Sequence, residues 1–416
     1  MSIPEKDRTI LRKLGEKIAG IAALPVQREK AEMWRRLNDL EPVKPMIWIN
    51  EIPWHEMDVN DELKIQCTDP FCRGVEGGLR RTIYQWEHIR GDMVVEETLY
   101  SPLVIRDTGF GIGEDVDIVR TDPRSGVVSR TFHPQIREEK DIEKIKMPEI
   151  THDEEASERN YQQMANIFHG IIPVKKRGIP GQWFAPWDNL IRWWGVQEAM
   201  IDLALRPELV HMVMEHFISA YIHRLDQWEE LNLLALNNSN IRIGSGGYGY
   251  SDELPQDDFE PDHVRPIDIW GCATAQIFSE VSPQMHEEFA LQYERRWLDR
   301  FGLTYYGCCE PLDIKMGILR KVPNLRKISM SPWIDVDRAA KEVGTDYVFS
   351  LKPNPEILGR DAWHPDIARK VLNETLEKTQ GCVVEIIMKD ISTVRYEPQR
   401  LWEWADIAVE ETEKLA

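Results

Sequence analysis

The chain has 416 residues, a hydrophobic fraction of 42% and a formal net charge of −20. The hydrophobic content is ample for a large core, yet no apolar run approaches the roughly 18 residues that cross a bilayer. The negative charge argues against nucleic acid as a partner, because affinity for phosphate backbones depends largely on Lys and Arg. It is also typical of a solvated acidic surface.

The first 44 residues predict helices at the periphery of the molecule. They are charged throughout and lack the apolar segment of a signal peptide. Leu11, Leu14, Ile18 and Ile21 recur on one helical face. We expect residues 1–44 to form an N-terminal helical extension of a cytoplasmic protein that does not enter a membrane.

A first strand is predicted at residues 45–49, where an apolar run precedes Asn50. Residues 58–160 then lack a regular alternation of strands and helices. Short stretches such as 98–105 alternate apolar and polar side chains, which is typical of antiparallel strands. We expect a small antiparallel sheet inserted at residues 58–160, lying as a lid or side sheet at the mouth of the main domain.

From residue 171 onward, short apolar runs alternate with helical patterns. The runs lie near residues 171–174, 233–236, 301–306, 328–330, 348–351 and 382–388. Parallel strands that alternate with helices are typical of a (β/α)8 barrel, whose active site forms at the C-terminal ends of the strands. The sequence therefore predicts an α/β fold, a single TIM-barrel domain over residues 1–416 that carries the extension and the insertion.

A glycine-rich stretch at residues 244–249 interrupts this second half. It does not fit a dinucleotide-binding fingerprint, because no strong helix start follows it. We interpret residues 244–265 as a mobile loop at the barrel mouth.

The six cysteines are too sparse for a disulfide scaffold in a chain of this length. Cys308 and Cys309 are adjacent and directly follow a predicted strand. They are candidates for metal ligands, for a reactive thiol, or for small buried residues. Because side chains alternate along a strand, both sulfurs can face one site only if a turn places them there.

Five segments in the second half occur in the order found in a known superfamily. They lie at residues 181–186, 206–208, 282–293, 306–309 and 351–355. In this order the chain resembles the uroporphyrinogen decarboxylase superfamily, which includes corrinoid-dependent methyltransferases. The resemblance covers residues 171–410 well and residues 1–57 loosely, and it does not cover the insertion.

Departures from the superfamily pattern narrow the function that the resemblance implies. Residues 49–54 lack the arginines with which the decarboxylases hold tetrapyrrole acid groups, so we reject uroporphyrinogen as the substrate. The methyltransferases hold zinc with a His-x-Cys segment and a late Cys. Here Tyr306 replaces the His and Cys382 lies at the wrong end of its strand, so zinc would need Cys308, Cys309, Glu310 and Asp390.

The resemblance implies a methyltransferase of the aromatic O-demethylase type. It would move a methyl group from a methoxylated aromatic to cob(I)alamin carried by a separate corrinoid protein. The chain lacks the Asp-x-His-x-x-Gly run of corrinoid-binding domains, so the cobalamin must arrive on that partner. A homodimer is compatible with the sequence, which does not fix the oligomeric state.

Release of an alkoxide or phenoxide needs a proton or a Lewis acid at its oxygen. The candidate proton donors are Glu310, Asp390 and Lys352, with Glu310 first; a structural carboxylate that caps the following helix is the alternative for Glu310. The candidate substrate-binding residues lie near predicted strand ends. They are Trp48, Asn50, Trp183, Phe184, Asn237, Trp270, Tyr306, Trp333 and Asn354.

Two other functions remain open from the sequence. A lyase or decarboxylase acting on a smaller acid would need a basic clamp, for which Lys352, Arg177 and Arg395 are the candidates. A non-catalytic corrinoid- or tetrapyrrole-binding protein would keep an apolar mouth but would not need the cluster at residues 308–310.

Overall fold

The computed structural model describes residues 3–120 and 128–415. Its strands are β1 Met46–Ile49, β2 Leu99–Pro102, β3 Ile105–Asp107, β4 Val116–Val119, β5 Ser129–Phe132, β6 Ile150–His152, β7 Val174–Arg177, β8 Trp270–Ala273, β9 Leu303–Tyr306, β10 Leu325–Met330, β11 Val348–Leu351 and β12 Val383–Met388.

The α-helices surround these strands. They are α1 Glu5–Ala22, α2 Pro25–Asn38, α3 Pro70–His88, α4 Glu154–Phe168, α5 Pro186–Trp194, α6 Val196–Leu205, α7 Pro207–Glu230, α8 Pro283–His286, α9 Gln292–Leu298, α10 Met316–Leu319, α11 Val336–Val343, α12 Glu356–Gly359, α13 Pro365–Lys378 and α14 Gln399–Glu413. None of these helices combines the length and the apolar composition needed to cross a membrane.

Six parallel strands form the central sheet in the order β1-β12-β11-β10-β9-β8. Every residue of β8, β9, β11 and β12 is buried. Parallel strands covered on both faces need such continuous burial, which explains why these strands are mainly apolar. Strands β9 to β12 lie where the sequence predicts them.

Further contacts continue the curve of the sheet beyond its two edge strands. The Asp92 backbone N–H donates to the Ile47 carbonyl at 2.9 Å, and β2 pairs in parallel with β7. Ile179 and Leu234 form a parallel bridge. The Asn237 side chain then bonds both the N–H and the carbonyl of Trp270, at 2.9 and 3.0 Å. The fold is thus of the TIM-barrel type, and the predicted α/β fold class is confirmed.

The N-terminal helices pack on the barrel through the faces that the sequence pattern indicates. Leu11 and Ile18 of α1 are fully buried against α3 and α4. The Asp7 carboxylate accepts hydrogen bonds from the backbone N–H groups of Thr68 and Asp69, at 2.9 and 2.8 Å. This carboxylate ties α1 to the segment that begins α3.

Residues 58–160 contain α3 together with two short antiparallel pairs, β3·β6 and β4·β5. The β3·β6 pair approaches α7. Arg224 of α7 lies 3.0 Å from an Asp107 carboxylate oxygen and 4.1 Å from the centre of the Phe110 ring. Gln227 accepts from the Ile150 N–H at 2.9 Å. The β3·β6 pair therefore lies against an outer helix of the barrel, whereas β2 of the same segment belongs to the barrel wall.

Candidate active site

A cavity of about 480 Å³ opens beside the C-terminal ends of several barrel strands. Among its lining residues are five that the sequence analysis predicts as site residues: Trp183, Asn237, Trp270, Cys308 and Asp390. The cavity is also lined by three charged residues that the sequence analysis does not predict as site residues: Glu51, Arg242 and Lys389. A cavity that combines apolar surface with a few charged side chains is typical of a site that binds a small molecule.

The turn after β9 places the two adjacent cysteines. Gly307 has φ of +98°, a conformation that favours glycine, and a Cβ there would lie 2.4 Å from Leu312 Cδ1. Before this turn the β9 side chains alternate. Tyr305 points into the barrel, whereas the Tyr306 hydroxyl donates to Glu294 Oε2 at 2.6 Å on the helix side. Tyr306 is therefore directed away from the cavity.

The turn brings the two sulfurs together on one side of the backbone. Cys308 Sγ and Cys309 Sγ are 3.5 Å apart, and Lys389 Nζ is 3.4 Å from Cys308 Sγ. Cys308 is 5% exposed and Cys309 is half-buried. The thiol–thiol hydrogen bond lowers the pKa of Cys309 and raises the pKa of Cys308. This pair, Cys308 and Cys309, is called the dithiol below.

Glu310 stabilises the same turn through hydrogen bonds. Its buried carboxylate accepts from the Thr274 hydroxyl at 2.8 Å, the Ala275 N–H at 3.2 Å and the Cys308 N–H at 2.9 Å. None of these donors belongs to the helix that follows. Glu310 therefore does not cap that helix, and its carboxylate stabilises the turn instead. Glu310 does not belong to the cavity lining.

Lys389 and Asp390 follow β12 and face the dithiol. The Lys389 ammonium donates to Asp390 Oδ2 and lies 3.9 Å from Glu51 Oε2. Burial and a hydrogen bond with Glu51 raise the pKa of Asp390. The pKa of Glu51 falls to about 2 because Asp390, Lys389 and Arg242 outweigh its burial. Asp390 thus holds a proton at higher pH than an ordinary aspartate.

A second polar network fills the barrel interior beneath the dithiol. Lys327 pairs with Glu385 at 2.9 Å, both fully buried. Lys352 donates to Tyr305 Oη at 2.9 Å and to Ser350 Oγ at 2.6 Å. The Tyr305 hydroxyl is 2.9 Å from Ser245 Oγ, and Ser245 lines the cavity. Burial lowers the pKa of Lys352 to about 7, so this amine exchanges its proton near neutral pH.

The remaining predicted substrate residues lie outside the cavity lining. Phe184 stacks on Trp297 with ring centres 4.4 Å apart, and Trp48 packs on Tyr248 at 4.7 Å. Trp333 is 69% exposed after β10. Asn354 lines a separate cavity of about 280 Å³ behind β11, with Lys352. Asn50 continues the β1 pairing through its backbone N–H, which bonds the Met388 carbonyl at 2.9 Å.

The glycine-rich loop supplies several lining residues that the sequence analysis does not single out. Ile241, Arg242, Ile243, Gly244 and Ser245 all line the cavity. A Cβ on Gly244 would lie 2.6 Å from the Tyr305 ring, and one on Gly246 would lie 2.5 Å from Glu385. The glycines therefore allow the loop to pack directly on the inner faces of β9 and β12. The spacing of these glycines was the feature of the sequence that could have indicated this close packing.

The donors around the dithiol do not fit a zinc ion. A structural or catalytic zinc needs at least three protein ligands at about 2.0–2.3 Å. The 3.9 Å between Asp390 Oδ2 and Cys309 Sγ is a spacing that two ligands of one ion can have, but the Lys389 ammonium donates to both Cys308 Sγ and this carboxylate and so occupies the donors that a cation would need. Within the described residues, the three-ligand group with metal-like spacing is Glu62, Glu87 and His88, which does not belong to this cavity.

Comparisons with known proteins bear on the fold. No family model matches the chain, and no curated protein is similar to it in sequence. Among solved structures, it is similar to a methyltransferase from Methanosarcina mazei, with a TM-score of 0.50 and 12% sequence identity. The match covers 93% of this chain and 98% of that one. At this identity the likeness establishes a shared fold over nearly the whole chain.

Proposed function

We propose that the protein is a methyltransferase that moves a methyl group from a methoxylated aromatic to the cob(I)alamin of a separate corrinoid protein. The observation that carries this proposal is the cluster of Cys308, Lys389 and Asp390 at the end of the cavity. The cluster places a protonatable carboxyl, that of Asp390, beside an ammonium group at the position where barrel enzymes perform chemistry. The likeness in fold to a methyltransferase supports the same reaction class.

The cob(I)alamin of the partner would supply the nucleophile, so this chain must orient the donor and assist the leaving oxygen. We assign proton donation to Asp390, since its raised pKa keeps the carboxyl protonated to higher pH. The Lys389 ammonium stabilises the developing negative charge. Trp183 and Trp270 border the cavity and would position the aromatic ring.

Lys352 is a second candidate proton donor to the cavity. It does not line this cavity, but its amine reaches Ser245 through the Tyr305 hydroxyl in two hydrogen bonds of 2.9 Å each. Since its pKa is about 7, it can both donate and accept a proton under ordinary conditions. Glu310 supports the turn instead, because three donors already occupy its carboxylate.

The placement of the three basic residues considered as an acid clamp gives no support to the lyase alternative. Arg177 stacks on the Tyr100 ring at 4.0 Å, and Arg395 pairs with Asp361 at 2.7 Å. Lys352 is buried in the interior network. These three side chains do not converge on the cavity as a clamp for an acid would.

The test mixes the full chain with a reduced corrinoid protein and methoxylated aromatics under anaerobic conditions. The loss of cob(I)alamin absorbance and the appearance of methylcobalamin are followed. We expect transfer that depends on the ether, and a rate for Asp390→Asn that is about 10²–10⁴-fold lower, as for loss of a general acid. The wild-type rate should fall as pH rises through the pKa of Asp390, because only the protonated carboxyl donates.

Asp361→Asn is the matched control, because Asp361 is 95% exposed and lies outside the cavity lining. It should transfer methyl groups at the wild-type rate. Absence of methylcobalamin with every ether would contradict the proposal and would favour a binding protein. Transfer that is unchanged in Asp390→Asn would contradict the role assigned to this residue.

A further inference from the structure

We propose that the dithiol is a thiol–disulfide exchange site, which low-molecular-weight disulfides oxidise to a ring disulfide between Cys308 and Cys309. The observation behind it is the juxtaposition of two sulfurs, 3.5 Å apart, beside an open cavity. Adjacent residues on a regular strand point to opposite faces. Here the turn at Gly307, with φ of +98°, removes that separation.

The surroundings of the dithiol favour exchange over a purely structural role. Cys309 is the more exposed sulfur and can reach a small disulfide in solvent, whereas Cys308 faces the cavity. Ser329 donates to the Cys308 carbonyl at 2.7 Å, and Glu310 accepts from its N–H at 2.9 Å. These bonds hold the Cys308 backbone in place beside Cys309. Its sulfur can therefore act as the resolving thiol, the one that closes the ring. The Lys389 ammonium, 3.4 Å from Cys308 Sγ, stabilises negative charge on the sulfurs.

The reaction proceeds in two displacements and needs no metal. Cys309 Sγ attacks one sulfur of the small disulfide, the bond between its two sulfurs breaks, and one small thiol leaves with the proton of Cys309. Cys308 Sγ then attacks Cys309 Sγ, and the second small thiol leaves with the proton of Cys308. Two protein thiols are oxidised, and one disulfide is reduced to two thiols.

The geometry also predicts that the ring is easily reduced. Adjacent Cα atoms are about 3.8 Å apart, whereas disulfides usually join Cα atoms that are about 4.4–6.8 Å apart. A bond formed under this constraint is strained and has a more oxidising potential. We therefore expect reversible oxidation that removes a thiol from the cavity wall, whatever reaction the cavity performs.

The experiment exposes the full-length protein to glutathione buffers of increasing oxidised fraction, quenches it with acid and labels free thiols with a maleimide. Trypsin, cutting after Arg300 and Lys315, releases residues 301–315, which contain no cysteines other than Cys308 and Cys309. We expect this peptide to lose two hydrogens and about tenfold of its maleimide label in the oxidising buffers, and to regain the label with dithiothreitol.

Two serine variants resolve the order of attack, and both are checked for wild-type thermal unfolding. Cys308→Ser should retain glutathione on Cys309, because the resolving sulfur is missing. Cys309→Ser should react slowly, because Cys308 is buried. Cys382→Ser, whose thiol contacts the Ala340 carbonyl, is the matched control and should form the ring like the wild type.

Persistent glutathione on the wild-type peptide without ring closure would overturn the proposal. So would full maleimide labelling of both cysteines in the most oxidising buffer. Neither readout uses methyl transfer. A reduced protein that lacks methyltransferase activity would refute the proposed function while the redox result stands.

Discussion

At the scale of single residues, a buried carboxyl group makes the stability of the protein depend on pH. Glu294 is fully buried; its Oε2 accepts from Tyr306, and its Oε1 has no hydrogen-bond partner among the described residues. Burial raises its pKa from 4.5 to about 8. The folded protein therefore keeps a proton that the unfolded chain releases above pH 4.5.

This difference predicts that stability falls as pH rises. The stabilising contribution of protonated Glu294 is complete below about pH 4.5 and is lost progressively up to about pH 8. We expect the free energy of unfolding of the wild type, relative to Glu294→Gln, to fall by up to about 1.4 kcal/mol per pH unit in this range. Urea unfolding of both proteins at several pH values measures it. Parallel pH profiles would contradict the assignment.

Replacing Glu310 should lower stability for a different reason, because three hydrogen-bond donors depend on its two carboxylate oxygens. Glu310→Gln replaces one acceptor oxygen with an amide that donates, so at least one buried donor loses its partner. We expect a loss of about 1–3 kcal/mol in the free energy of unfolding. Glu155→Gln, at a side chain 94% exposed, should change it little. Equal stability of both variants would show that the turn does not need this carboxylate.

At the scale of elements, the sequence predicts the strands better than the directions of side chains at their ends. Strands β9, β11 and β12 were predictable because burial on both faces favours mainly apolar runs, and β10 was predictable from its apolar end at Ile328 and Met330. A position near a strand end does not determine which way a side chain points, so Phe184 stacks on Trp297 whereas Trp333 faces solvent. The contact of Lys389 with Cys308 joins residues far apart in sequence, which no local pattern reports.

The turn after β9 is the element on which the site geometry depends. In Gly307→Ala the new Cβ would lie 2.4 Å from Leu312 Cδ1, at a φ of +98° that disfavours side chains. Strain and overpacking together should cost about 2–4 kcal/mol. Gly317→Ala is the control, because a Cβ there meets nothing within 4 Å and α10 should gain stability. Thermal unfolding compares them; a stable Gly307→Ala protein would show that the turn tolerates another conformation.

At the scale of the whole molecule, the inserted β3·β6 pair and the loop at Phe110 are joined to the barrel by contacts on α7. Phe110 packs against Phe217 and Tyr221 at ring distances of 4.7 Å each, and Arg224 lies over its face. The ion pair of Arg224 with Asp107 closes the same contact. These contacts connect the short antiparallel pairs with a helix whose other face belongs to the core.

Phe110→Ala should therefore loosen the segment before it unfolds the barrel. Removing a buried Phe side chain typically costs about 3–5 kcal/mol, and that loss falls on a region whose strands β3, β4 and β5 are short and mostly exposed. We expect faster amide hydrogen exchange in residues 105–119 and 129–152, while β9 to β12 exchange as in the wild type. Val119→Ala, at a side chain that is 64% exposed, should leave all rates unchanged. Equal acceleration in the barrel strands would mean that insertion and barrel unfold as one cooperative unit, because Phe110 would then stabilise both.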